Sequence, residues 1–404
     1  MRRILMAVVL LFFITFLRGG AWGAGGDLLW EVATGGVLAA SNGRVVVAGS
    51  AGVQTFEGKS GSFLWQDSFF GATTIAMDAQ QVIAVGATAI RAYDSRNGTL
   101  DWQESLISGT EIKAAQIHGR QLLVAGTSMD ATGAVQLLIR AYDANNGQIK
   151  WEDRSLPPNV SLSSFFPLTQ KSLTIQGGRA YLVATVASQT LHDTLFLCLV
   201  RAYDRETGGR VWESVSQERC VARAVAAGRQ EVILAGIGTG FATFLDDLYV
   251  RSYSAQTGAL LWQDKSHVLT GFGNAAVAVD DESKRTFIAG WVRSEQFLRE
   301  QVFHVRAYDM KTGTLYWEDQ YPGSVIVPPP GTICCASRAR DIVADGGRVF
   351  AVGFSPFIVR AYDAKSGNLL WQNEQPTGLA ESVAIDRGVV FAADSGVLRA
   401  YDGR

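Results

Sequence analysis

Residues 361–371 read Ala361-Tyr362-Asp363-Ala364-Lys365-Ser366-Gly367-Asn368-Leu369-Leu370-Trp371, and the spacing of their Asp, Gly and Trp returns along the whole chain. An acid or Ser, a Gly and a Trp stand at offsets of zero, four and eight in seven copies: Glu57/Gly61/Trp65, Asp94/Gly98/Trp102, Asp143/Gly147/Trp151, Asp204/Gly208/Trp212, Ser254/Gly258/Trp262, Asp309/Gly313/Trp317 and Asp363/Gly367/Trp371. An eighth copy starts at Tyr401-Asp402 and stops at Arg404. Its missing Gly and Trp stand at the other end of the chain, in Gly26-Asp27-Leu28-Leu29-Trp30. Eight repeats with one divided between the two ends imply a closed ring.

Between motifs the plan is constant. From Ala339 to Trp371, Ile342 to Ala344 leads to the turn Asp345-Gly346-Gly347 and Val349 to Val352 follows; then come Phe357 to Tyr362, the motif turn, and Asn368 to Trp371. Short runs rich in Val, Ile, Tyr and Phe, bounded by Gly-bearing turns, predict strands, and no window keeps a helical period. The prediction is an all-β fold: an eight-bladed β-propeller of four-stranded antiparallel blades, inner strand first, with the last blade closed by the N- and C-terminal strands. The motif chemistry agrees. The Asp accepts hydrogen bonds from backbone N–H groups two or three residues on, the Gly permits positive φ, and the Trp buries a flat ring between blades. Arginines recurring at one motif position, such as Arg91, Arg306 and Arg399, read as architectural because they repeat around the ring.

Arg2-Arg3, the apolar stretch Ile4 to Leu17 and the small-residue end Ala21-Trp22-Gly23 have the pattern of a secretory signal peptide. The expected division is therefore a signal over 1–23 and a single propeller domain over 24–404, periplasmic or secreted, with no transmembrane span once cleaved; a retained anchor is the alternative. Residues 1–23 hold three arginines and no acid, so cleavage turns 36 basic against 38 acidic residues into 33 against 38, a net charge of −5. That balance argues against nucleic acid as a partner. Export also implies an oxidising compartment in which the four cysteines can pair.

The residues quoted at the outset resemble the repeat of pyrroloquinoline-quinone (PQQ) type propellers, over essentially the whole mature chain. That repeat occurs in quinoprotein dehydrogenases and in propellers that carry out no chemistry, such as an outer-membrane assembly factor, so the resemblance implies the fold and leaves function open. In some quinoprotein alcohol dehydrogenases a vicinal disulfide lies over the quinone, with an arginine five residues after its second Cys. Cys334-Cys335 with Arg340 reproduces that spacing, although the family's Asn before the arginine is Ala339 here. A bridge from Cys220 to Cys334 or Cys335 is the competing pairing.

Two features locate a site. Long within-blade loops are expected in consecutive blades at Thr127 to Val135, Thr185 to Phe196, Ile237 to Leu248 and Trp291 to Val302, with long connections at Glu152 to Gln170 and Glu318 to Arg338, all on one face. Aligned heads of the inner strands read Gly36, Thr73, Lys113, Lys171, Arg223, Ala275, Arg340 and Glu381. Four cations against one acid suggest a positive pore mouth for an anionic ligand. Lys113, Lys171, Arg223, Arg340, Glu381 and Trp291 are the ligand-binding candidates. A quinoprotein would also require calcium ligands and a carboxylate base, for which Glu111, Asn274, Asp341 and Glu381 are candidates; the four histidines show no metal spacing. The favoured reading is a non-catalytic binding or assembly scaffold, with Phe165-Phe166, Phe241, Phe244 and Phe297 offered to a protein or other ligand from the loop-rich face. The alternative is a minimal PQQ- and calcium-dependent alcohol or sugar dehydrogenase, or a PQQ-binding protein.

Overall fold

The computed structural model describes residues 25–68, 71–164, 166–189, 194–240, 245–270, 275–293, 301–322, 338–354, 357–375 and 378–404. These form eight antiparallel sheets, with no helix among the described residues. Blades 1 to 7 span residues 37–67, 72–105, 111–154, 161–215, 221–270, 276–321 and 338–375, and blade 8 combines 382–402 with Leu28–Val32. The first strands of successive blades pack against one another around a central channel. Blade 4 carries one extra strand, Ser161–Leu162, paired to Leu162↔Val186 and Ser161↔Ala187 beyond the end of its inner strand Leu173–Gln176.

Closure follows the divided motif. Leu28–Val32 pairs with Leu398–Asp402, Gly26 N donates to Asp402 O at 2.8 Å, and Asp402 N donates to Asp27 O at 2.9 Å. The N-terminal strand thus supplies the outer edge that the C-terminal strands lack.

The motif works between blades as well as within the turn. Each motif Gly lies at positive φ with its α-carbon against the Trp ring of the preceding blade; a Cβ at Gly61 would meet Trp30 at 2.6 Å, and one at Gly98 would meet Trp65 at 2.5 Å. The divided copy obeys the same rule, because a Cβ on Gly26 would lie 2.7 Å from Trp371. Indole N–H groups complete the contact by donating to the carbonyl one residue after the motif acid: Trp30 to Gly58 at 2.9 Å, Trp102 to Ala144 at 2.6 Å and Trp317 to Ala364 at 3.2 Å, with Trp65, Trp151, Trp212 and Trp262 doing the same. At the closure Trp371 keeps its Gly contact, but its Nε1 has no hydrogen-bond partner among the described residues. The acid caps its own turn as expected: Asp94 Oδ1 accepts from the N–H of Arg96 at 2.8 Å and of Asn97 at 3.2 Å.

The recurrent arginines are interblade ties. Arg306 binds Glu318 of its own outer strand at 3.2 Å and Asp264 of the preceding blade at 2.8 Å; Arg140 does the same with Glu152 and Glu104, and Arg201 with Glu213 and Asp153. A further tie is covalent. Cys198, on the third strand of blade 4, is bonded to Cys220 just before blade 5, with Cα atoms 5.2 Å apart and a sequence separation of 22. This corrects the pairing of Cys220 with Cys334 or Cys335: the long third strand of blade 4 brings Cys198 to the connection, where Cys220 N donates to Phe196 O. Cys334 and Cys335 lie outside the described residues.

Two outcomes test this architecture. Trp30→Ala should cost about 3–5 kcal/mol, and deletion of residues 24–33 should lower and broaden the melting transition further by exposing an unpaired blade edge; unchanged melting of the deletion would refute the closure. Replacing Cys198 and Cys220 together by Ala should lower stability in urea by about 3 kcal/mol, the contribution of cross-linking a loop of this length.

Candidate functional site

The insertions predicted on one face are extensions of the blades themselves. Blade 4 has strands of 11 residues, Arg179–Gln189 and Thr194–Asp204, and blade 5 has strands of 10, Glu231–Gly240 and Leu245–Ser254. Blade 1 has strands of 5 and 6. Extended pairing satisfies the backbone groups that an irregular loop would leave to solvent, so blades 3 to 6 rise as hairpins above the others. In blade 3, Met129 pairs with Val135 near the hairpin tip, and Met129 N bonds Gly109 O at 3.1 Å. Met129, Val135 and the nearby Ile107 are 55, 43 and 69 % exposed. Of the aromatic residues proposed for this face, Phe166 is described and behaves otherwise. Phe166 is buried edge-on against Phe196, ring centroids 5.0 Å apart, because the connection into blade 4 folds inward. Phe165, Phe241, Phe244 and Phe297 lie outside the described residues.

The heads of the inner strands are β-bulges in four blades. Pairing slips between Ala72 and Thr74, Ile112 and Ala114, Ala222 and Ala224, and Ala339 and Asp341, leaving Thr73, Lys113, Arg223 and Arg340 as the extra residues. A bulge breaks side-chain alternation and re-aims the residue it carries. Lys113 meets Glu111 at 2.5 Å. Arg223 lies over the Phe166 ring at 5.5 Å, and Arg340 over Phe354 at 4.4 Å. Arg338 stands between Trp291, 4.9 Å away, and Phe354, 5.4 Å away. Trp291 is buried under it and offers no open stacking surface. Burial pulls the Arg338 and Arg340 guanidiniums below their ordinary range, with exposed Glu381 opposing the shift at Arg340.

Lys171 and Asp341 come together across the channel, three blades apart in the ring. Asp341 is 3 % exposed. Besides Lys171 Nζ, its carboxylate accepts from Ile342 N at 2.5 Å and from Val383 N of the next blade at 3.1 Å. Gln170, which sequence reasoning did not single out, donates from Nε2 to Thr73 O of blade 2 at 2.7 Å. Thr169 Oγ1 donates to Arg223 O at 2.7 Å, and Val225 N to Lys171 O at 2.8 Å, so the connection into blade 4 is anchored on blade 5 and reaches blades 2 and 7. Burial pushes the Lys171 ammonium down to about 7. Two of the four mouth cations are thus offset by carboxylates, Glu111 and Asp341, that stand outside the one aligned position.

A PQQ molecule at the pore entrance would need an open flat seat on the axis with cations turned toward its carboxylates. Lys171 and Gln170 cross that space, and Trp291 is covered by Arg338; the described residues do not fit the quinone. Among the described residues no group of three or more His, Cys, Asp or Glu side chains is placed to hold a metal ion.

A family profile described as "Outer membrane protein assembly factor BamB" matches residues 21–198, 116–341 and 246–404 in overlapping passes. No curated protein sequence matches the chain. Solved structures share the fold at low identity. BamB from Moraxella catarrhalis is 15 % identical with a TM-score of 0.58, covering 93 % of this chain and 97 % of its own. The quinohemoprotein alcohol dehydrogenase ADHIIG from Pseudomonas putida HK5 is 12 % identical with a TM-score of 0.60, over 93 % of this chain and 76 % of its own. The computationally designed Ika8 protein is 13 % identical at 0.63, over 93 % and 97 %. An enzyme, an assembly factor and a design match equally well, so these likenesses carry the fold alone.

Asp341→Asn should remove the anionic partner of Lys171 and cost about 1–3 kcal/mol, less than a fully buried pair because Lys171 keeps about a third of its surface exposed. The sign with pH follows from a lysine whose folded pKa is depressed: the unfolded chain binds the extra proton, so stability rises with pH through the window above about 7. The variant's deficit should therefore be larger near about pH 6 than near about pH 9 in paired denaturation curves; a pH-independent deficit would contradict the pairing.

Proposed function

The chain belongs to the PQQ-like repeat family described as outer membrane protein assembly factor BamB, and from that premise we propose that it is an exported, non-catalytic docking scaffold for a protein partner. The observation that carries this reading is the raised rim of blades 3 to 6 and its exposed apolar tip at Ile107, Met129 and Val135. Exposed apolar side chains at the base of a paired hairpin's loop and on the connection beside it suit a partner surface, because they gain by leaving water; Met129 and Val135, held on strands, also have little backbone freedom to lose. Lys113, Arg223, Arg340 and Glu381 edge the same face toward the channel and would select the partner's charges. Buried Trp291 supports that edge from beneath. Export rests on the signal-like segment 1–23, and the propeller over 24–404 would act as one unit. The resemblance also implied a quinone enzyme, but the crossing of the channel mouth by Lys171 and Gln170 favours docking.

The test has two arms. In envelope fractions the wild-type protein should co-purify with the outer-membrane protein assembly machinery, and Ile107→Glu with Met129→Glu should lower that recovery by about tenfold while leaving the melting curve in place, as loss of a docking anchor does. Purified protein titrated with PQQ and Ca²⁺ should show neither saturable change in quinone absorbance nor dye-linked oxidation of alcohols or aldoses. Saturable binding at about 10 µM or tighter would overturn the scaffold reading in favour of a quinoprotein.

A further inference from the structure

The residue that pairs with the motif acid across the strand ladder is a nitrogen donor in six blades: Arg44, Gln81, Gln121, Arg179, Arg285 and Arg348. Three of these reach the next blade and donate to the carbonyl one residue after its motif acid: Gln121 to Arg205 O at 2.7 Å, Arg348 to Gly403 O at 3.0 Å, and Arg179 to Ala255 O. Blade 5 inverts the pair. Ser254 stands in place of the motif acid and Glu231 lies opposite it. As a carboxylate Glu231 has nothing to donate to the corresponding carbonyl, Met310 O, which accepts from Trp262 instead.

Glu231 is 8 % exposed, and no donor among the described residues bonds its carboxylate. Burial first, then Asp281 and Asp309 of blade 6, push its pKa up, and Lys311 opposes them. Asp281 and Asp309 have partners of their own: Gln176 and the Arg229 N–H for the first, the turn N–H groups of Lys311 and Thr312 for the second. A buried carboxylate without a donor is costly, so Glu231 calls for a group that brings one. It lies on the wall of a cleft of about 990 Å³, on the face opposite the raised rim, shared with Gln176 and Arg179 of blade 4, Ser254 and Gln256 of blade 5 and Lys311 of blade 6. The charges acting on Glu231 come from blade 6, whereas Arg179 is carried by the blade 4 wall. The cleft therefore has an acidic end and a separate basic one.

We propose that this cleft binds a basic amino acid with a free carboxylate, the cationic group of its side chain on Glu231 and its carboxylate at Arg179. The acidic end requires a positive charge that carries N–H donors, which an ammonium or guanidinium supplies. A metal ion is poorly matched, since no group of three or more His, Cys, Asp or Glu among the described residues is placed to hold one. A cation lacking a carboxylate would face Arg179, Arg229 and Lys311 on the same wall, and an anion alone would leave Glu231 unpaired. This site lies away from the docking rim and stands or falls independently of it.

The experiment is a calorimetric titration of the mature wild-type protein with L-arginine, using L-citrulline as the analogue with a neutral side chain and agmatine as the analogue without a carboxylate. L-Arginine should bind saturably, and each analogue about tenfold more weakly or worse, the loss expected when one charge-assisted contact is removed. Blades 2 and 3 carry Gln at the position of Glu231, so Glu231→Gln should fold, and it should lose the preference for L-arginine over L-citrulline. Arg179→Gln, which keeps a donor for Ala255 O, should lose the preference for L-arginine over agmatine. No saturable binding up to about 10 mM L-arginine, equal binding of either analogue, or an unchanged preference in Glu231→Gln would each overturn the proposal. The wild-type panel decides even where a variant does not fold.

Discussion

An indole ring pressed against an α-carbon that bears no side chain sets the spacing of this whole molecule. At every blade boundary a Trp of one outer strand lies against the motif Gly of the next blade, closer than any Cβ would allow. The glycine is required twice over, for its positive φ and for that approach. Since the carbonyl that accepts the indole N–H belongs to the same turn, the aspartate cap, the glycine and the tryptophan act as one joint. In blades 2, 3, 4, 6 and 7 the arginines add a second, electrostatic layer by tying the blade to an acid on its predecessor. Those of Arg140, Arg201 and Arg306 are partly buried and shared between two carboxylates, which distinguishes them from isolated surface pairs worth little.

A ring pinned so uniformly at its circumference leaves its axis free to vary. The heads of the inner strands carry Gly, Thr, Lys, Arg, Ala and Glu with no repeat constraint, and bulges there turn side chains out of the alternation that would otherwise hide them between blades. Lys171 and Asp341 use that freedom to meet across the channel, and Gln170 spans it in another direction. The result divides the axial space into a mouth crossed by side chains and a cavity below.

Much of the fold was legible in the sequence because its determinants are local and repeated. Offsets of zero, four and eight describe a turn and the strand after it, and eight copies average out any single deviation, so blade number, strand order and the joining of Gly26 and Trp30 to Tyr401 could be read directly. The face bearing the insertions was legible for the same reason. Their form was not: residues expected as loops extend the strands in blades 3 to 6, and Phe166 turns inward. Of the cations aligned at the inner-strand heads, Lys171 lines the channel, while Lys113, Arg223 and Arg340 are the extra residues of bulges. Their neutralisation by Glu111 and Asp341 was invisible to an alignment of one position.

What the sequence by itself determined is the ring: how many blades, how each turn closes, and how the last blade is assembled from both ends. Each of those depends on residues within a dozen positions of one another or on a motif whose halves are unmistakable. Only the tertiary structure decided which side chains meet at the axis and that Cys198 is the partner of Cys220. Lys171 and Asp341 are 170 residues apart, and their encounter depends on a bulge, on the path of the connection into blade 4 and on the curvature of the closed ring. Curvature is a property of all eight interfaces together, so no stretch of sequence encodes that contact alone.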